Sequence, residues 1–131
     1  GSGVDIDALL RALGRSGAPQ YKERFVVSIG ESIIPISTSD IAYFYSRDKY
    51  NYLAATDGSH YIVDSSLDTI AEELDPKKFF RISRGCIVSL PAIRSITRQF
   101  GGRLRITAAP EPPFEMTVAR ARVEDFLAWL E

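Results

Sequence analysis

FFRISRGCIVS, Phe79 to Ser89, is the stretch whose reading decides the fold. From Phe80, alternation sends Phe80 and Ile82 to one side of a strand and Arg81 and Ser83 to the other. Arg84-Gly85 breaks the period as a turn or bulge does, and the apolar run Cys86-Ile87-Val88 resumes as a returning strand. The pair presents a hydroxyl, a guanidinium and a glycine backbone N–H at one tip, three groups that suit a phosphate or a base edge.

Outward from this pair, the same grammar repeats. Ser65 to Leu74 carries an apolar stripe of Leu67, Ile70, Ala71 and Leu74, opens on a capping-box pair Ser65/Asp68, and stops at Asp75-Pro76. Before it, Arg24–Ile29 and Ser32–Ser37 flank Gly30-Glu31 as a hairpin, with Pro35 marking an edge. IAYFYS (Ile41–Ser46) is an aromatic strand that turns at Arg47-Asp48-Lys49 into a strand from Tyr50 to Thr56, and Asp57-Gly58 turns it again into His60–Val63. After Pro91, strands at Ile93–Arg98 and Arg103–Thr107 flank Gly101-Gly102, a proline-rich loop follows, and Phe114–Val118 leads to a last helix, Arg122–Leu130. These elements predict a mainly β protein with two or three short helices, built as an antiparallel, sandwich-like stack of small sheets.

The N-terminal part reads differently. Gly1-Ser2-Gly3 reads as a cloning scar, and residues 4–20 as a helical connector and linker, with Ile6, Leu9, Leu10 and Leu13 at helical spacing. The globular domain is expected over residues 21–131.

Composition narrows the function classes. One cysteine in 131 residues excludes an internal disulfide and points to a reducing, cytoplasmic compartment, and no apolar run approaches membrane-spanning length. With a single histidine, His60, beside a tight turn, and Cys86 within an apolar run, neither a zinc site nor a Cys–His nucleophile is indicated. No nucleotide or hydrolase motif is present, so no enzyme, cofactor or metal is expected. Net charge is −1, yet Pro76 to Pro110 holds eight basic residues and no acid. That asymmetry fits a basic face for an anionic partner, or else arginines that solvate an outer sheet face. Lys49-Tyr50-Asn51-Tyr52 places a cation, an aromatic and an amide at the tip of a strand pair, and Asn suits adenine where it does not merely shape the turn. Arg120 and Arg122 stand at the entry of the last helix, where anions are favoured.

The order IAYFYSRDKYNYL, Asp-Gly, SSLDTIAEELDPKKFFRISRGCIVSL, AIRSI, GGRLRI, MTVARARVEDFLAWL resembles the LytTR DNA-binding domain, the output module of many bacterial response regulators. The resemblance spans about Arg24 to Leu130. It implies loops laid into successive major grooves of double-stranded DNA, on paired half-sites, with an upstream receiver or sensor domain and no membrane segment in this chain. By the same resemblance Asn51, Arg84 and Arg120 contact bases, while Lys49, Ser83 and Arg122 hold phosphates. The chain departs from the family where many members carry Asn-Arg or His-Asn at Ser83-Arg84, and at Ala119-Arg120, where the usual serine hydroxyl is missing. The alternative from another class is a β-rich protein-interaction or ligand-sensing module for an acidic partner.

Overall fold

A computed structural model describes residues 20–131; the expected scar and connector helix lie outside the described residues. Among the described residues, ten strands form three antiparallel sheets. The strands are β1 (Arg24–Ile29), β2 (Ser32–Ser37), β3 (Ile41–Arg47), β4 (Tyr50–Ala55), β5 (His60–Val63), β6 (Phe79–Ser83), β7 (Cys86–Ser89), β8 (Ile93–Arg98), β9 (Leu104–Ala108) and β10 (Thr117–Val118). The helices are α1 (Leu67–Glu73) and α2 (Val123–Leu130). A five-stranded sheet in the order β5-β4-β3-β7-β6 is the middle layer.

Its central strands explain why IAYFY and CIV are apolar without a break. Tyr43, Tyr45, Cys86 and Val88 face the sheet β10-β9-β8 and α2, while Phe44, Leu53 and Ile87 face β1-β2 and α1. A strand covered on both faces reads as a continuous hydrophobic run rather than an alternation. Burial pushes the Cys86 thiol well above its ordinary value, which leaves it an inert packing group. His60 contributes to an aromatic cluster: its Nδ1 lies 2.7 Å from the Tyr45 hydroxyl, and Tyr45 stacks on Tyr52 at 5.0 Å.

Two local expectations need correction. The N-cap of α1 is Ser66, whose Oγ accepts from the Thr69 backbone N–H at 3.1 Å, so the capping box is not Ser65/Asp68. Asp68 instead pairs with Arg81, a partner thirteen residues away. The last strand is only Thr117–Val118, because Phe114 turns inward onto Tyr45 at 5.0 Å and Pro112-Pro113 supply no N–H for a ladder. The cap gives a direct test: Ser66→Ala lowers stability by about 1 kcal/mol, whereas Ser65→Ala stays within about 0.5 kcal/mol. Thermal denaturation of the two variants measures the difference, and equal losses would refute the assignment.

Candidate nucleic-acid interface

The β3–β4 hairpin turns through Asp48 and Lys49, with φ of 51° and 73°. Two consecutive left-handed residues joining the Arg47↔Tyr50 pair make the turn whose twist matches a hairpin, a role that favours Asn-Gly. Here a lysine occupies the glycine position and stands exposed at the tip.

Asn51 is not at that tip. It lies in β4, opposite Ser46 on one side and Val63 on the other. Its Oδ1 accepts from Ser46 Oγ at 2.5 Å and its Nδ2 donates to the Ser65 carbonyl at 2.9 Å. One acceptor lone pair and one N–H remain on the amide. Asn51 therefore ties the β3–β4 hairpin to the segment entering α1.

The β6–β7 hairpin turns at Arg84-Gly85, and its register shifts between Arg81 and Ser83. The Arg84 side chain is exposed, while its carbonyl accepts from Arg81 Nη2 at 2.7 Å. The Gly85 carbonyl accepts from the Ser46 N–H at 2.9 Å, which fastens this turn to the end of β3. A Cβ at Gly85 would meet only Ser46 Cβ, at 3.9 Å, so the turn itself has room for a methyl group. Ser83 closes β6 opposite Cys86 and is half-buried.

Arg120 to Arg122 form a 3-10 turn rather than the first turn of α2. The Ala119 N–H donates to the Ile82 carbonyl at 3.0 Å, which lays this turn beside the end of β6. Arg120 is exposed; Arg122 is half-buried and donates one Nη1 bond to the Arg81 carbonyl at 3.3 Å. All six expected contact residues thus lie at one end of the molecule, cross-tied by backbone bonds. Exposure differs among them: Lys49 and Arg84 are exposed, Arg120 is exposed but lies against Gly102, and Asn51, Ser83 and Arg122 are partly engaged in the frame.

The basic window behaves differently from its sequence. Arg81 pairs with Asp68, and Arg105 with Glu115 at 3.2 Å, so acids from outside the window fold onto it. Lys77, Lys78 and Arg94 line a cleft of about 570 Å³ with Phe79, Leu90 and Pro110. That cleft is at the opposite end of β6 from Arg84, about 16 Å away at strand rise. Arg81 was legible only as one more cation; its bonds to Asp68 and Arg84 make it the strut of the Arg84 turn.

A model of the LytTr DNA-binding domain matches residues 31–131. An uncharacterized response regulatory protein of Vibrio cholerae is 35% identical over 95 residues, which cover 70% of this chain and 36% of that protein. The chain therefore spans little more than a third of that relative. The LytTr DNA-binding domain of a methyl-accepting/DNA response regulator from Bacillus cereus superposes with a TM-score of 0.74 at 20% identity, covering 83% of this chain and 97% of that one, which shows the shared fold. With the family model matching residues 31–131, which include the cross-tied end and α2, the chain belongs to the LytTr DNA-binding domain family.

Proposed function

We propose that this chain is the sequence-specific DNA-binding output domain of a bacterial two-component regulator, working in the cytoplasm on double-stranded DNA. The observation that carries the proposal is the cross-tying of three tips at one end: Ser46 to Gly85 and Ala119 to Ile82 join them, and Arg81 braces the Arg84 turn. Tips fixed relative to one another can enter a groove in one register without an ordering cost at binding.

In this reading Arg84 and Arg120 address the O6 and N7 acceptors of guanine, and Asn51 uses its remaining N–H and lone pair on adenine. Lys49, Ser83 and Arg122 hold phosphates and fix the approach. Gly85, which the turn does not require, keeps the tip bare where backbone meets backbone. A domain this small reads few base pairs, so two copies on half-sites about 10.5 bp apart would multiply the selectivity. An upstream receiver or sensor domain in a longer protein completes this reading, and similarity to part of a response regulatory protein supports it.

Selection of bound duplexes from a random library tests the proposal. The expected result is a recurring motif, repeated at about one helical turn; recovery without any motif would overturn it. Lys49→Gly separates fold from binding at one residue. Relief of the left-handed lysine stabilises the domain by about 0.5–1 kcal/mol, while loss of the cation flattens the salt dependence of log K by about 0.9. Urea denaturation and titration at several salt concentrations read both effects, and an unchanged salt slope would remove Lys49 from the phosphate contacts.

A further inference from the structure

The β8–β9 hairpin ends in Gln99-Phe100-Gly101-Gly102-Arg103, closed by the Gln99 N–H on the Arg103 carbonyl at 2.9 Å. Phe100 has a relative exposure of 102%, as open as in an extended peptide. A phenyl ring held wholly in water contributes nothing to the fold's apolar burial. The turn holds it there: Gly101 and Gly102 have φ of 85° and 79°, a region that side-chain-bearing residues rarely enter.

Three guanidinium-bearing residues belong to this tip or border it. Arg98 and Arg103 flank the tip, and Arg120 packs over Gly102, where a Cβ would stand 3.5 Å from its Nε. No residue of the tip from Arg98 to Leu104 is acidic, and Glu115 is taken up by Arg105 at 3.2 Å. The tip is also continuous with the proposed reading edge, because β10 pairs with β9 through Val118↔Leu104 and so delivers Arg120 beside the β8–β9 turn. Cations flanking an apolar tip are poorly suited to another copy of this chain and well suited to a polyanion with an apolar feature between its phosphates.

We infer that Phe100 is a further base-reading group of the same interface, making an apolar contact with the C5-methyl of a thymine next to the base pair that Arg120 addresses. The inference rests on the DNA-binding reading above and deepens it. In the major groove the thymine methyl is the one apolar mark on a base edge, and phenylalanine is among the side chains that contact it. Arg98 and Arg103 would hold the flanking phosphates and set the depth of the ring.

The test uses the duplex recovered by selection, with its thymines replaced one at a time by uracil, which lacks only that methyl. One replacement next to the guanine assigned to Arg120 is expected to weaken the parent chain about fourfold, the worth of one buried methyl group. The same replacement should leave Phe100→Ala unaffected, and Phe100→Ala should bind the thymine duplex about tenfold more weakly than the parent does. Phe100→Ala is a surface change on a fully open side chain, so an unchanged melting temperature checks that the fold is intact. Equal binding by parent and variant would overturn the inference, as would a parent chain indifferent to every uracil. If Arg84→Ala loses base preference while Phe100→Ala does not, the DNA-binding reading stands and this inference fails. If the parent selects no motif at all, the DNA-binding reading itself fails.

Discussion

Phe126→Ala should cost about 3–5 kcal/mol of stability, the range for emptying a fully buried phenyl site. Phe126 has no exposed surface and anchors α2 on β6 through Phe80 at 5.4 Å, while it stacks within the helix on Trp129 at 5.8 Å. Trp129 donates from its Nε1 to the Pro76 carbonyl at 2.7 Å, so the ring triad also pins the segment between α1 and β6. Against a total of about 5–15 kcal/mol for a domain, this loss is a large share. With an m-value of about 2 kcal/mol per M, the urea midpoint should fall by about 2 M. A loss below about 1 kcal/mol would mean that α2 lies outside the cooperative core. The consequence reaches the interface because α2 follows directly on the Arg120–Arg122 turn.

The elements that the sequence predicts well are those whose causes are local. Alternation, or for β3 and β7 a continuous apolar run, together with turn chemistry suffices for β1 to β9, and Gly30, Gly58, Gly101 and Gly102, with φ of 58°, 93°, 85° and 79°, all stand in turns read from glycine. The misread features depend on partners distant in the chain. Ser65 and Ser66 are equally good caps on paper; the cap falls on Ser66, and Asp68 is engaged with Arg81 rather than with the helix start. The basic window looked like one face because acids were absent from it, but Asp68 and Glu115 fold onto Arg81 and Arg105, and the strands carry Lys77, Lys78 and Arg94 to the far end. Asn51, read as a tip, is a staple because Ser46 and the Ser65 carbonyl flank it in space. Phe100 carries no periodic signal at all, since a lone aromatic beside Gly-Gly looks like the edge of a strand until its exposure is known.

Arg84→Ala should reduce affinity for the selected duplex ten- to a hundredfold, or about 1–3 kcal/mol, and relax preference at one base position while leaving the melting temperature nearly unchanged. The reason lies in how the turn is built. What holds the turn is its backbone: the Arg84 carbonyl takes the Arg81 guanidinium, and the Gly85 carbonyl takes the Ser46 N–H. Neither bond involves the Arg84 side chain, which is exposed. Truncation to alanine thus removes donors from the tip without removing a strut. Arg81→Ala is the converse change. It keeps the Arg84 side chain but deletes the bonds to Asp68 and to the Arg84 carbonyl. It should lower stability and weaken binding through a misplaced tip, with the selected motif unchanged, since the reading group is still present. Site selection and thermal denaturation of the two variants form a crossed test. If Arg84→Ala lowered the melting temperature and kept the motif, Arg84 would be a turn-forming residue only, and base reading at this tip would have to come from another side chain.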